Sequence, residues 1–275
     1  MTLIGAGAVI WYAVFYFESR QNLLVTFFDV GQGDAILVET PSGQEILIDG
    51  GPGNLILPKL GQTLPFWDRS IDLLILTHPH TDHIAGALEV LKRYKVDSVI
   101  ESGVNHSIPE YEEWKKVLQE KKTKVVSARA GQKVIFSANG TIEILSPLED
   151  FSGKSPKNVH DGMIVSRLRY ASTSVLLMGD AEKPIEYQLV RSQNSLRSDI
   201  LKIGHHGSKT STTEEFLREV SPKFAVIQVG RKNRYGHPAQ EVLDRLAAVG
   251  AKVLRNDLEG GIYFKSDGKT IWTEN

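Results

Sequence analysis

The stretch "LTHPHTDHIAG", Leu76–Gly86, sets three histidines and an aspartate directly after an aliphatic run. "DLLILT" (72–77) is short and continuously apolar, the pattern of a buried strand. Beyond it Ile84, Leu88 and Leu91 recur at helical spacing, which predicts a helix from His83 to Tyr94. His78, His80, Asp82 and His83 therefore lie in a tight strand-to-helix connection. Such a connection needs one capping residue, Thr81 or Asp82, and has no use for three imidazoles. His and Asp at this spacing are metal ligands by type. A tight loop lets His78 and His80 project one way while Asp82 and His83 turn the other, giving two half-sites of a dinuclear centre.

Outward from this loop the chain repeats a pattern. "ILIDGG" (46–51) precedes "DLLILTHPH" (72–80), and "VLLMGDA" (175–181) precedes "DILKIGHHG" (199–207). Each half has an apolar strand ending in an Asp–Gly or Gly–Asp pair, then a second ending in His. Strand ends converge on one rim of a fold, so both halves are expected to feed one site. Asp180 is a carboxylate placed to bridge two metals, and also a candidate cap for a helix near 183–191. In "IGHHGSKTS" one of His205 and His206 suffices as a ligand, and position at the strand end favours His205. His160 in "KNVHDG" is a candidate third ligand, with an ordinary loop histidine as the alternative. His237 follows Arg231, Lys232 and Arg234, a setting for phosphate contact or protonation of a leaving oxygen. The alternative for His237 is a surface loop that caps the following helix. Of the eight histidines only His106 lies outside these groups.

The remaining elements fill in an α/β fold. Strands are predicted at 23–30, in a hairpin around "PSG" (41–43), at 95–100 and in a series through "KVIF", "TIEIL", "MIVSRLRY" and "TSVLLM". Helices fall at 109–122, 183–191, 213–220 and 239–249, with strands at 199–203, 223–229, 251–254, 261–265 and 269–273. Helices on both sides of two central sheets bury all these apolar faces. The chain has 275 residues, 41% hydrophobic and 24% charged, and no Gly-, Pro- or Ser-rich linker, so one domain is expected over 21–275. The net charge of -1 excludes a globally basic surface for gripping nucleic acid, although not a local patch. Having no cysteine, the chain has neither disulfides, thiolate ligands nor a Cys nucleophile.

The first segment stands apart. "MTLIGAGAVIWYAVFYF" (1–17) carries no charge and has aromatics crowded at its C-terminal end. No basic region precedes it and no small-residue cleavage site follows, so residues 1–20 are expected to anchor the chain in a membrane rather than be removed. The hydrolase-like part is then expected outside the cytoplasm, with Arg20 too little charge to fix the orientation.

"HPHTDH" matches the HxHxDH signature of the metallo-β-lactamase superfamily, with "LIDGG", "MGDA" and the strand-end histidine following in that family's order. "FFDVGQGDAILVE", "THPHTDHIAGA", "LKIGHHGSKTSTTEEFL" and "NRYGHPAQEVLDRL" resemble the C-terminal domain of ComEC-type DNA-uptake proteins and their stand-alone relatives over about 24–273. The resemblance implies an αββα sandwich with a dinuclear site at one edge, and phosphodiester cleavage of DNA or RNA by a metal-bridging hydroxide. It implies a first site of His78, His80 and His160 and a second of Asp82, His83 and His205, bridged by Asp180. ComEC relatives often carry Asn at the third position, and Asn158 lies beside His160. The many-span channel of those proteins has no counterpart in this sequence, so cleavage and not transport is implied. Asp82 and His237 are the expected catalytic residues, Ser208, Lys209, Arg231, Lys232 and Arg234 the substrate-binding ones, and Asp49 and His206 orient ligands from behind. Two Zn²⁺ ions suit the His-rich set, and the His/Asp mixture admits Mn²⁺ or Fe²⁺. Hydrolysis of a β-lactam or another C–N or ester bond is the alternative reaction. A membrane-tethered binding module is a third reading, disfavoured because binding alone has no use for two metals.

Overall fold

The computed structural model describes residues 22–192 and 195–274. The N-terminal run read as an anchor lies outside them, and no helix among the described residues is long and apolar enough to cross a membrane.

Two mixed sheets form the centre. The first contains β1 (Leu23–Phe27), β2 (Ile36–Glu39), β3 (Glu45–Ile48), β4 (Ser70–Leu76), β5 (Lys95–Glu101), β6 (Lys124–Ser127), β14 (Ile262–Ser266) and β15 (Ile271–Thr273). Its order is β15-β14-β1-β2-β3-β4-β5-β6. The second contains β7 (Lys133–Ser137), β8 (Gly140–Ser146), β9 (Val165–Tyr170), β10 (Thr173–Leu177), β11 (Ile200–Lys202), β12 (Phe224–Ile227) and β13 (Lys252–Arg255), in the order β13-β12-β11-β10-β9-β8-β7. Helices α1 (Ile56–Thr63), α2 (Thr81–Arg93) and α3 (Pro109–Lys121) cover the first sheet. Helices α4 (Lys183–Arg191), α5 (Glu214–Val220) and α6 (Gln240–Ala248) cover the second, and a short α7 (Asn256–Glu259) follows β13. This is the expected four-layer sandwich.

The apolar run of β4 shows why the layers form. Leu73 and Ile75 face the space between the sheets, with Ile142, Ile144, Leu168, Val175 and Leu177 of the second sheet. Leu74 and Leu76 face the helices and meet Ile84, Leu88 and Leu91. Side chains alternate along a strand, so covering both faces requires an unbroken apolar sequence. Trp114 of α3, fully buried, fills the outer layer and donates its indole N–H to Glu101 at 2.7 Å.

Two elements escape the sequence patterns. Helix α1 buries only Ile56 and Leu60, one turn apart, in a segment interrupted by Pro58 and Gly61. Strand β6 is mostly exposed and shows no alternation; its parallel pairing with β5 defines it. Helix α2 also begins two residues before the predicted start, with His80 at its N-cap and no side-chain cap from Thr81 or Asp82. That leaves the Asp82 carboxylate free for the site.

Candidate metal centre

The loop after β4 is pinned by close backbone contact. Gly50 N–H donates to His83 O at 2.9 Å and Gly86 N–H to Gly51 O at 2.8 Å. A Cβ on Gly86 would lie 1.8 Å from Gly50 O, so the last glycine of the motif lets the first turn of α2 rest on the "DGG" loop. Asp49 lies beneath this contact. Its carboxylate accepts from Thr77 N–H at 2.8 Å, Thr77 Oγ1 at 2.6 Å and His83 Nδ1 at 2.8 Å. This fixes the His83 proton on Nδ1 and aims Nε2 into the site, the orienting role expected of Asp49.

Two donor sets meet at Asp180. In the first, His78 Nε2 lies 2.9 Å from His80 Nδ1, which lies 3.3 Å from His160 Nε2, and Asp180 Oδ2 is 3.8 Å from His78 Nε2. In the second, His83 Nε2 is 3.3 Å from Asp180 Oδ2, while His206 Nε2 is 3.4 Å from Asp82 Oδ2 and 3.5 Å from Asp180 Oδ1. Within each set the donor atoms lie within 4.8 Å of one another. Ligands at zinc bond length around one tetrahedral ion stand about 3.3 Å apart. His83 Nε2, Asp180 Oδ1 and His206 Nε2 are buried and make no hydrogen bond. Buried polar atoms are costly unless paired, so a buried cluster of potential ligand atoms without hydrogen-bonding partners is one that cations fit.

The electrostatics separates the two sets. Burial holds His78 well below the usual imidazole range, and burial together with the neighbouring His160 pulls His80 down to about 4. Both are neutral at physiological pH, the form that binds a metal. Burial also pulls on His83 and His206, but the carboxylates beside them prevail. Asp180, Asp49 and Asp82 raise His83 well above its ordinary value, and Asp180, Asp34 and Asp82 push His206 up to about 10. Burial raises Asp82, yet His83 and His206 hold it down at about 2.

One placement differs from expectation. The structure brings His206, not His205, to Asp82 and Asp180. Position at the strand end favoured His205, but both residues adopt left-handed backbone, φ 47° and 53°, in a tight turn over Gly204–Gly207. Two such residues in succession reverse the chain, so extended-strand alternation no longer tells which side chain points inward. His206 Nδ1 donates to Gln228 O at 2.8 Å, leaving Nε2 for the site. His205 faces Glu182 instead, with Nδ1 3.2 Å from Oε1. The same carboxylate stands 3.7 Å from His160 Nδ1.

A cavity of about 350 Å³ opens over the second set, lined by His205, His206, His237, Tyr235, His106 and Gln32 beside Asp82 and Asp180. His237 thus faces the site, with Tyr235 stacked on it at 5.8 Å. None of the five expected substrate contacts lines this cavity. Ser208 is buried with its hydroxyl 2.9 Å from Thr210 Oγ1. Lys209, Arg231, Lys232 and Arg234 are exposed, and Arg231 Nε donates outward to Asp257 O at 3.2 Å. Long flexible cations stay in solvent when no ligand holds them. Sequence reasoning missed Glu182 and His106, which are separated from their partners in the chain, Tyr235, two residues before His237, and Asp34, which pairs with the fully buried Lys202 behind His206. The "GQGD" turn was the one available sign of Asp34.

Comparison with known proteins shows the family. The family description "Metallo-beta-lactamase superfamily" matches residues 28–231. ComE operon protein 3 of Bacillus subtilis is 32% identical over 259 residues, 88% of this chain and 33% of that protein. Competence protein ComA of Neisseria gonorrhoeae is 32% identical over 248 residues, 87% of this chain and 32% of that protein. The chain thus spans about a third of the length of these curated relatives, which are ComEC-type competence proteins. Among solved structures, the metallo-beta-lactamase fold protein YhfI from Bacillus subtilis has a TM-score of 0.60 at 14% identity, covering 89% of this chain and 100% of that one.

Proposed function

Because the chain belongs to the metallo-beta-lactamase superfamily, a metallo-hydrolase superfamily whose members bind divalent metals, typically two, we propose that it is a metal-dependent phosphodiesterase that cleaves DNA or RNA. The observation that carries this reading is the meeting of two donor sets at one buried carboxylate. His78, His80 and His160 would hold one ion and Asp82, His83 and His206 the other, with Asp180 shared. Bound there, two divalent cations would activate water at neutral pH and would neutralise charge on phosphoryl oxygens. Zn²⁺ suits the imidazole-rich donors, with Mn²⁺ and Fe²⁺ compatible.

The chain's own residues do the rest. Burial and the neighbouring His205 and His206 hold His237 below the ordinary imidazole range, and from the cavity wall it handles the proton of the leaving oxygen. Glu182 fixes the orientation of His160 and His205 from behind. Tyr235, exposed at the mouth, offers a face on which a base can stack. Arg231, Lys232 and Arg234 on the same loop, with Lys209, meet phosphates flanking the scissile one. Residues 1–20 anchor this domain, 21–275, to a membrane, with the domain outside the cytoplasm.

The test is metal content of the full chain by elemental analysis, followed by turnover of single-stranded DNA, RNA and a chromogenic cephalosporin beside Asp82→Ala. Nuclease activity lost in the variant supports the reading. Cephalosporin turnover without nuclease activity replaces it with the β-lactamase alternative. A metal-free chain without turnover leaves only a binding module, and a variant as active as the parent overturns the assigned site.

A further inference from the structure

The metal donors follow the C-terminal ends of β4, β10 and β11, and the opposite end of the molecule has its own chemistry. Strand β1 is antiparallel to β2, β2 is antiparallel to β3, and β3 is parallel to β4. Strands β1 and β4 therefore run the same way, and Leu23 lies at the end where β4 starts, away from the metal donors. The turn before β4 exposes Phe66 at 81% and Trp67 at 56%, rings edge to face at 4.7 Å. Two large rings exposed together at one turn form an apolar patch of the kind that marks an interaction surface.

Cations gather at the same end. Helices α2 and α3 run back to it, so Arg93, Lys121 and Lys122 close them there, and Lys95 and Lys124 open β5 and β6. All are exposed, as is Arg69. Acidic neighbours answer some of them: Lys95 pairs with Asp97 at 2.7 Å and Arg93 with Glu89. Lys122 and Lys124 have no ion pair among the described residues. Asp68, Asp72 and Glu120 lie at the same end, so it is the cations left without an ion pair, and not a net surplus, that mark this surface.

We infer that this end is a docking surface for an anionic lipid bilayer, with Phe66 and Trp67 in the headgroup boundary and the metal rim facing away. Nucleic acid would satisfy the cations, but the aromatic pair and the chain path favour lipid. Only residues 18–22 separate the uncharged run 1–17 from Leu23. Five residues reach at most about 18 Å. Three strand spacings, about 14 Å, separate β1 from β4. A membrane entered at Phe17 is therefore held near the aromatic turn. The inference rests on the anchor reading of residues 1–17, not on the hydrolase reading.

The absence of native cysteine makes the test direct. Full chain carrying Gln62→Cys, in the last turn of α1, or Ser107→Cys, beside the cavity, is labelled with an environment-sensitive fluorophore. Each is reconstituted in phosphatidylcholine–phosphatidylglycerol vesicles containing a spin-labelled lipid quencher. The label at 62 is expected to be quenched about threefold more than that at 107, as for groups held at the boundary. Equal quenching, or more at 107, overturns the proposal. Lys122→Glu with Lys124→Glu should weaken contact with anionic vesicles about fivefold for each residue, and leave neutral vesicles unaffected. Phe66→Ser with Trp67→Ser should lower quenching at 62 on both. If the charge variant instead loses affinity for single-stranded DNA and keeps its vesicle contact, the surface belongs to nucleic acid and the proposal fails. Turnover of a phosphodiester substrate in the same samples reads the hydrolase assignment separately.

Discussion

The two halves of the candidate metal centre are built alike and deliver their side chains differently. In each, parallel neighbouring strands, β3–β4 and β10–β11, end in an aspartate and then a histidine. In the first half one continuous strand–turn–helix supplies His78, His80, Asp82 and His83, locked by the contact of Gly86 with the Gly50 loop. In the second half a left-handed turn selects His206 and sends the adjacent His205 to the cavity wall. A ligand set carried by one regular segment is fixed by local geometry, whereas one carried by an irregular turn depends on what the turn packs against.

The largest effect should come from the group the two donor sets share. Asp180→Ala removes a donor from both sets, so turnover should fall about 10³-fold or more, with both ions depleted on elemental analysis. Retention of full metal content would show that Asp180 does not join the two donor sets. The neighbouring histidines sharpen the comparison. His206→Ala should lose one ion of the two and about 10²-fold in turnover, while His205→Ala keeps both ions and loses about tenfold to 10²-fold through lost positioning. An exchange of these two outcomes would return the ligand role to the strand-end residue.

Gly86→Ala probes the first half's lock. Its new Cβ would meet Gly50 O at 1.8 Å, so the thermal midpoint should fall by the equivalent of about 1–3 kcal/mol of overpacking. An unchanged midpoint means the loop contact is not tight. The smallest effect is a pH trend. In the metal-free chain burial lowers His206, yet Asp180, Asp34 and Asp82 raise it from 6.5 to about 10. The folded state holds this proton more tightly than the unfolded one. Its stabilisation is therefore full below 6.5 and is lost as pH rises through about 10. The melting temperature of chelator-treated protein should drop across that interval, and the drop should vanish in His206→Gln and in metal-loaded protein. A metal-free chain with a flat profile would show that His206 is not protonated there.

Most of the architecture was legible because it rests on short-range rules. The unbroken apolar runs of β4 and β10 required sheets covered on both faces, and the helical spacing of Ile84, Leu88 and Leu91 placed α2 on one of them. Helix α1 and strand β6 were not legible, since one buries too few residues to show a period and the other is defined by its neighbour. The same boundary runs through the site.

By itself the sequence determined that His78–His83 and Asp180 follow buried strands, because backbone geometry around a strand end fixes where adjacent side chains go. Only the tertiary structure decided between His205 and His206, brought Glu182 behind His160, set Asp34 and Lys202 behind His206, and left the four surface cations off the cavity wall. Those outcomes depend on residues far apart in the chain meeting across two sheets. The left-handed turn that settles the histidines is a backbone state that two non-glycine residues adopt only when the surrounding packing imposes it.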